Sequence, residues 1–341
     1  MSKIKYLIKR IFSLDYKQFF KTIDKINKKT KISKTKLFFD IIYCGIKYQA
    51  GYIDYELFQM YDMNNKERET ILTRGKNNAY VKMLNPKEYW HIFDNKDEFD
   101  KRFKKYLNRE FMVINESNKD EFKKFINNKD EIIVKPLSES CGKGIEKIEL
   151  KNINKDELYT KLLSNKQFLI EEVAHQHKDL AKLHKESINT IRVVTLKNKY
   201  NVTTIITAII RIGTNKEIVD NFNHGGVCSV VDLKTGKILT PAIDKQGNTY
   251  EYHPTTKIKL VGYQLPNWDK VIELVKEAAK EVKEMNLIGW DVCIGEEKPL
   301  LIEANQFPGH DLYQLPAHRI NNNKYGMVPI FEEALNKKVG E

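Results

Sequence analysis

The sequence lacks the features of membrane, secreted and zinc-binding proteins. It contains no run of about 18 apolar residues, so we expect no transmembrane helix, and its N-terminus lacks an uninterrupted apolar core with a cleavage site, so we expect no signal peptide. Its four cysteines are far apart and form no CxxC pair, which indicates reduced, mostly buried thiols in a cytosolic protein. His175 and His177 are close together, but no thiol or third ligand is spaced with them, so a zinc site is not predicted.

Positive charge is concentrated at one end of the chain. The 341 residues carry a net charge of +12, and 41% are hydrophobic and 30% charged, which is typical of a globular protein. Residues 1–36 hold twelve lysines and arginines against two aspartates, a net +10, so the rest of the chain carries only +2. The excess charge therefore belongs to an N-terminal arm, and we expect no nucleic-acid partner for the molecule as a whole.

Apolar residues recur in this arm at three- and four-residue steps, which predicts an amphipathic helix. They are Ile4, Ile8, Ile11, Phe12, Phe19, Ile23 and Ile26. We favour a helix that packs this stripe on the rest of the protein and leaves its lysines in water. The alternative is a helix that lies on an anionic membrane, which would place a cytoplasmic protein at the inner face of the plasma membrane and make vesicle binding salt-dependent.

Beyond the arm, the order of elements predicts an α+β protein. Residues 1–90 are predicted to form a helical, basic N-terminal region. Helices and strands interleave from residue 94, but hairpins dominate later, which favours antiparallel sheets over a doubly wound parallel sheet. We divide the predicted second domain, residues 91–335, into subdomains 91–175 and 176–335. The predicted strands lie at 111–115, 132–136, 145–150, 168–173, 188–196, 201–212 and 227–233, and the predicted helices at 97–106, 119–127 and 269–285.

A further hairpin is predicted near the C-terminus, where two short apolar runs flank the turn at 295–299. Glu303 and Asn305 are two residues apart on the second strand and therefore point to one face. Asp291 lies on the partner strand, where a short turn places it beside them. Carboxylate and amide oxygens suit a hard divalent cation, so this hairpin predicts a Mg²⁺ site.

Lys135 ends an apolar strand and precedes a small, polar loop that contains Ser138, Ser140, Gly142 and Gly144. Backbone N–H groups of such a loop approach phosphate oxygens closely, and the lysine adds a positive charge. The loop lacks the GxxxxGK[ST] pattern and is followed by a strand, so it is not a Walker A motif. The alternative interpretation is an ordinary hairpin turn.

Glu171, Glu172 and Val173 close another apolar strand. Backbone groups at such a strand end can form hydrogen bonds with the edge of an adenine ring. A carboxylate nearby can bind the ribose hydroxyls, and Asp179 is the candidate for this role. The alternative is a solvent-facing strand end.

Arg192 and Arg211 are single charges inside strongly apolar strands. A charge in such a place is costly unless it is paired or faces a cleft. The two arginines therefore predict either buried ion pairs or neutralisation of a phosphate. The glycine-rich loop that follows has the composition of a loop that closes over a site; its candidate substrate residues are Asn221, His224, Gly225 and Gly226.

Taken in order, these parts resemble the ATP-grasp superfamily, and more narrowly the sugar-transfer-associated ATP-grasp family. The resemblance covers roughly residues 90–320. The segments that carry it are 187–195, 211–213, 219–222, Gly225-Gly226, His253-Pro254, 288–292 and 301–305.

The resemblance implies that two α+β subdomains hold ATP between them, and it implies a role for each candidate residue. Asp291, Glu303 and Asn305 are then the Mg²⁺ ligands. Lys135 contacts the α- and β-phosphates, as does Lys96. In the family pattern the second lysine directly follows an aspartate, whereas here Asn95 stands between Asp94 and Lys96. Residues 138–144 form the phosphate lid, 171–173 the adenine hinge, and Arg192 and Arg211 contact the γ-phosphate or an acyl-phosphate.

The implied function is an ATP-dependent carboxylate–amine ligase that acts through an acyl-phosphate. The family association indicates surface polysaccharide biosynthesis, capsular or O-antigen, in which a sugar acid is amidated or an amino acid attached. The partners are then a small or sugar-linked carboxylate and an amine. Two alternatives stay open: an ATP-grasp kinase that phosphorylates a hydroxyl, and a non-catalytic nucleotide-binding partner of a glycosyltransferase.

Overall fold

A computed structural model describes residues 15–138, 143–215, 222, 225–319 and 323–338. Contacts divide the chain into two compact units. The first is Met1–Met83 with Gly309–Glu333, and the second is Leu84–Pro308 with Ala334–Glu341. The predicted boundaries at residues 90 and 175 stay predictions. None of the helices in the described ranges is long and apolar enough to span a membrane.

Helices account for most of the first unit and for the layers around the sheets of the second. In chain order the α-helices are α1 (Tyr16–Thr30), α2 (Lys34–Lys47), α3 (Tyr52–Leu57), α4 (Asn65–Thr70), α5 (Arg74–Leu84), α6 (His91–Asp94), α7 (Lys96–Arg102), α8 (Lys104–Leu107), α9 (Lys119–Phe125), α10 (Lys155–Ser164), α11 (Lys178–Leu183), α12 (Trp268–Ala278) and α13 (Val328–Asn336). Short 3₁₀ helices lie at Met60–Asp62, Lys87–Tyr89, Leu312–Gln314 and Pro316–His318.

Helix α1 belongs to the predicted arm and shows how its stripe is used. Asp15 caps it, since its Oδ1 accepts the N–H of Gln18 at 2.9 Å. Phe19, Ile23 and Ile26 are buried in the core of the first unit, with residues of α2. For residues 16–30 the structure therefore agrees with a stripe that packs on protein; the part of the stripe at residues 4–12 lies outside the described residues.

The second unit contains two sheets in which all strand pairs are antiparallel. The first has the strand order β1-β4-β2-β3 and the second the order β11-β10-β5-β6-β7-β8-β9. The strands are β1 (Phe111–Val113), β2 (Glu131–Lys135), β3 (Glu146–Glu149), β4 (Leu169–Glu172), β5 (Ile191–Lys197), β6 (Thr203–Ile212), β7 (Val227–Val230), β8 (Ala242–Ile243), β9 (Thr249–Tyr250), β10 (Leu287–Ile294) and β11 (Pro299–Asn305). The predicted α+β class with antiparallel sheets is confirmed.

Each sheet has one core face and one polar face because side chains alternate along a strand. In the seven-stranded sheet Val193, Ile210 and Trp290 pack in the main core, with helix α12 beneath them. Asp291, one residue from Trp290, points to the opposite face, together with its register partners Arg192 and Glu303. The alternation therefore brings charged side chains of three strands together on one surface.

Two predicted helices differ from the observed ones. The predicted helix 97–106 is two helices, α7 and α8, because Phe103 has a ψ of 16° and interrupts the helical path. The predicted helix 269–285 ends at Ala278, yet Val282 and Met285 are still buried beyond it. Apolar residues therefore continue to recur beyond Ala278 because their side chains are buried, although the backbone there is no longer helical.

Candidate active site

A cavity of about 410 Å³ lies between the polar faces of the two sheets of the second unit. Its lining combines charged residues of both sheets with apolar and backbone surface. The charged lining residues include Arg109, Glu131, Lys135, Lys147, Glu171, Glu172, Lys185, Glu186, Arg211, Asp291 and Glu303, and the apolar ones include Ile133, Ile145, Val173, Ile188 and Ile302. Its size and mixed lining suit a small-molecule site.

Asp291 is the centre of the charges on the seven-stranded sheet. Arg192 Nε and Nη2 donate to its two carboxylate oxygens at 2.5 and 2.8 Å, and Arg211 Nη2 lies 2.7 Å from Oδ2. Burial disfavours the carboxylate, but the charges of Arg192 and Arg211 outweigh burial and hold the pKa of Asp291 well below its usual range. The two predicted buried arginines are thus paired, and Arg211 also lines the cavity.

Gly289, on the same face as Asp291, leaves the space that Arg192 uses. A Cβ added to Gly289 would lie 3.2 Å from Arg192 Cδ and 3.1 Å from Pro308 Cβ. The small residue therefore lets the arginine side chain lie across strand β10 toward the carboxylate.

Glu303 faces Asp291 from the neighbouring strand, as the hairpin register requires. Desolvation by the surrounding protein and the negative charge of Asp291 both raise the pKa of Glu303, although its side chain is open to the cavity, and the two carboxyl groups share a hydrogen bond. A carboxylate offers about four acceptor positions, and the arginines occupy three of those of Asp291. The remaining position and Glu303 are directed at one another.

These donors fit a hard divalent cation. Two neighbouring carboxyl groups, the buried Asp291 and the exposed, cavity-lining Glu303, form the kind of oxygen pair that Mg²⁺ prefers. Asn305 lies two residues beyond Glu303 on β11, but its Oδ1 accepts the N–H of Phe307 at 2.8 Å and it does not line the cavity. Within the described ranges no three His, Cys, Asp or Glu side chains are grouped for a metal, so a third protein ligand would be the amide oxygen of Asn305.

A second charged cluster lies on the four-stranded sheet. Ile133 and Glu171 are register partners and Lys135 lies two residues along β2, so all three share the cavity face. Lys135 Nζ is 2.5 Å from Glu171 Oε2, and Arg109 Nη2 is 3.2 Å from Oε1. Despite burial, the charges of Lys135 and Arg109 hold the pKa of Glu171 down to about 2. The predicted phosphate lysine is therefore a buried cation held in place on the cavity wall.

Asp100 completes this cluster from helix α7. Its Oδ1 is 3.9 Å from Arg109 Nη2, and its Oδ2 has no hydrogen-bond partner among the described residues. Burial, together with the charge of Glu171, raises the pKa of Asp100 to about 8. The side chain is therefore protonated near neutral pH.

The protonated Asp100 predicts a pH-dependent stability. Between about pH 4 and pH 8 the folded chain holds a proton that the unfolded chain releases, so the free energy of unfolding should fall as pH rises, by at most about 1.4 kcal/mol per pH unit. Asp100→Asn should remove this slope, whereas Asp120→Asn, an exposed control, should keep it. Urea unfolding at several pH values measures both, and identical slopes in the wild type and Asp100→Asn would contradict the assignment. Glu171 titrates below this range.

The other predicted ATP contacts have mixed positions. Glu172 and Val173 line the cavity, as predicted for the hinge, whereas Glu171 uses its carboxylate in the ion cluster. Asp179 does not line the cavity; its carboxylate pairs with Lys182 at 2.7 Å, which together with neighbouring charges lowers its pKa.

The ends of the predicted lid are described. Ser138 is exposed, and Gly144 has a φ of +72°, which favours glycine, while its carbonyl accepts Gln167 Nε2 at 3.0 Å. The N–H of Lys96 donates to the carbonyl of Leu137 at 3.1 Å, so the second predicted lysine begins α7 beside the lid. Ser140 and Gly142 lie outside the described residues.

Only part of the predicted substrate loop is described. Gly225 has a φ of +98°, and its carbonyl accepts the Thr214 hydroxyl at 2.7 Å. Gly226 is buried next to strand β7. Asn221 and His224 lie outside the described residues, so their predicted role stays a prediction.

Residues 75–324 match the family described as sugar-transfer associated ATP-grasp. The chain belongs to this family. The match includes both charged clusters and the hairpin, and it extends slightly beyond the resemblance at both ends. ATP-grasp enzymes generally use ATP and Mg²⁺, in agreement with the donor set around Asp291 and Glu303.

Several solved structures are similar to this ATP-grasp chain at low sequence identity. An ADP complex of a carboxyaminoimidazole ribonucleotide synthetase is 12% identical, with 64% of this chain and 45% of that chain covered and a TM-score of 0.40. D-alanyl-alanine synthetase A from Vibrio cholerae is 14% identical, with 72% and 64% covered and a TM-score of 0.42. ATP-grasp ligase PsnB, complexed with minimal precursor, is 12% identical, with 81% and 74% covered and a TM-score of 0.44.

The chain therefore spans less than two thirds of the first two of these proteins. No curated protein matches its sequence. The family membership rests on the match over residues 75–324.

Sequence reasoning missed Arg109, Asp100 and Thr190. Arg109 stands two residues before β1, between Leu107 and Phe111, and Asp100 follows Phe99 in α7, so each is a charge close to apolar residues. The argument that found Arg192 applies to them equally. Thr190, whose Oγ1 accepts from Arg211 Nη2 at 2.9 Å, carries no such signal because its hydroxyl is neutral.

Proposed function

We propose that the protein is an ATP-dependent carboxylate–amine ligase that forms its product through an acyl-phosphate. The observation that carries this proposal is the pair of arginines gathered on Asp291 beside Glu303, opposite the buried Lys135 across one cavity. Such a site offers fixed positive charge for a phosphoryl group and for a substrate carboxylate, and it needs no protein nucleophile.

The proposed roles follow from the positions of these side chains. Lys135, whose carboxylate partner Glu171 is itself shared with Arg109, would contact ATP phosphates from the four-stranded sheet. Mg²⁺ held by Asp291, Glu303 and Asn305 would neutralise charge on the β- and γ-phosphates. Arg211, on the cavity surface, would orient the reacting oxygens, and Arg192 would keep Asp291 in position.

In the proposed reaction a carboxylate oxygen of the substrate attacks the γ-phosphorus, the bond to the β-phosphate oxygen breaks, and ADP leaves. The nitrogen of an amine then attacks the acyl carbon, phosphate leaves with its bonding electrons, and the proton of the amine passes to water. Positioning and charge stabilisation by Lys135 and the arginines supply the rate enhancement.

We further propose that the reaction belongs to surface polysaccharide biosynthesis, capsular or O-antigen, where the carboxylate is a sugar acid or an amino acid. The family description, which associates this ATP-grasp with sugar transfer, supports this context. The proposed location is the cytoplasmic side of the membrane.

Purified protein with ATP and Mg²⁺ should release ADP and free phosphate only when a carboxylate and an amine are both present. Pools of uronic acids, sugar nucleotides and amino acids test this, with each pool also omitted in turn. A stable phosphorylated product would instead identify a kinase. Tight ATP binding with no ADP formed from any pool would favour the non-catalytic nucleotide-binding partner.

A further inference from the structure

The outer face of helix α2 carries a stripe of large apolar side chains that nothing in the described chain covers. Phe39 is 65% exposed, Ile42 41%, Tyr43 40% and Ile46 60%. Their spacing of three, four and seven residues places them on one side of the helix. The opposite side of the helix packs in the core of the first unit, so the stripe is additional to what folding requires.

The stripe continues onto helix α1 through aromatic contacts. Phe20 is 52% exposed and stacks on Phe38 with centroids 6.4 Å apart, and Phe38 meets Phe39 edge to face at 5.3 Å. Seven of the thirteen exposed large hydrophobic residues in the described chain fall between residues 16 and 53. Such a concentration marks an interaction surface, whereas exposed apolar residues scattered singly do not.

Helix α1 and the start of α2, which adjoin this stripe in the chain, are strongly basic. Residues 15–36 hold eight lysines against two aspartates, a net +6. Six of these lysines form no ion pair within the described part of the chain; they are Lys17, Lys21, Lys28, Lys29, Lys31 and Lys36. The complement of this surface is therefore both apolar and negatively charged.

We propose that the outer surface of α1 and α2 docks on an anionic lipid bilayer. Phe39, Ile42 and Ile46 enter the boundary between headgroups and acyl chains, and the unpaired lysines lie over the headgroups. The anionic headgroups of a bilayer can interact with many lysines at once. Apolar side chains flanked by lysines along a helix are typical of a helix that lies in the membrane interface. The arm's own stripe, Phe19 to Ile26, is buried, so α2 supplies the apolar contact instead.

Co-sedimentation of the full chain with vesicles tests this proposal. The protein should bind phosphatidylglycerol vesicles at low salt, bind phosphatidylcholine vesicles weakly, and be released from the anionic ones by high salt. Phe39→Ser/Ile46→Ser should lower the affinity at least about tenfold because it removes the apolar contact. The matched control is Leu239→Ser/Tyr252→Ser, which changes two exposed apolar residues of the other unit and should bind like the wild type.

Both double variants should melt at the same temperature as the wild type, because all four substituted side chains are exposed. A tryptophan placed by Phe39→Trp should shift its emission to the blue on anionic vesicles, which reports entry of this residue without altering charge. Equal vesicle binding by Phe39→Ser/Ile46→Ser and the wild type would overturn the proposal. A second result would also overturn it: a wild-type chain that does not bind vesicles but forms a concentration-dependent dimer that Phe39→Ser/Ile46→Ser abolishes. The apolar stripe would then be an interface with a second copy of the chain.

Discussion

Glu303→Gln should lower ADP formation by about 10³-fold while the free energy of unfolding stays near that of the wild type. The activity falls because the amide is uncharged and cannot replace the carboxylate oxygen opposite Asp291 that a Mg²⁺–ATP complex requires. The fold is kept because glutamine has nearly the same shape as glutamate and its side-chain amide can donate to Asp291. Removing one negative charge from this pair also relieves the repulsion that raises the pKa of Glu303.

Activity and stability are measured on the same preparation, by coupled ADP release and by urea unfolding. Glu297→Gln is the matched control because this residue lies exposed in the turn of the same hairpin. It should leave both quantities unchanged. Nucleotide affinity adds a readout that does not depend on the substrates: Mg²⁺ should tighten ATP binding to the wild type and to Glu297→Gln but not to Glu303→Gln. Full ADP release by Glu303→Gln would remove Glu303 from the site.

The hairpin could be predicted from the sequence because its information is local. Apolar runs on either side of a charged turn define the strands β10 and β11, and a period of two puts Asp291 on the face opposite Trp290. The turn alone would place Ile302 opposite Asp291, and Glu303 takes that position because the register shifts by one residue between Asp291 and Val292. The pairing of Arg192 and Arg211 with a carboxylate followed from the cost of an unpaired charge in an apolar strand.

The partners of these charges could not be predicted, since they lie far apart along the chain. Arg109 contacts Glu171 on β4 and the carbonyls of Leu301 and Ile302 on β11, and no local pattern links these positions. For the same reason the sequence, which predicts Glu171 at the adenine hinge through its backbone, does not indicate that its carboxylate pairs with Lys135 and Arg109. In the N-terminal arm, the helical spacing of apolar residues correctly identified the buried face of α1. It contained no information on which part of the protein covers that face.

Arg109→Met should destabilise the second unit by about 3–5 kcal/mol, the cost of removing one partner from a buried ion pair. Arg109 is 8% exposed and donates to Leu301 O at 2.5 Å and Ile302 O at 3.3 Å. It also lies 3.2 Å from Glu171 Oε1, so one side chain joins the four-stranded sheet to the seven-stranded sheet at the cavity. Methionine fills the volume but leaves these acceptors unpaired.

Urea unfolding measures this cost, and an exposed ion pair gives the scale. Lys105→Met breaks the pair that Lys105 forms with Glu281 at 2.6 Å on the surface, and it should cost much less than Arg109→Met because solvent screens an exposed ion pair. Arg109→Met combined with Glu171→Gln should cost less than the sum of the two single losses, because both changes remove the same ion pair. A loss for Arg109→Met no larger than that for Lys105→Met would show that the buried arginine does not hold the two sheets together. The non-additivity separates the charge of Arg109 from its packing, since packing alone would leave the two losses additive.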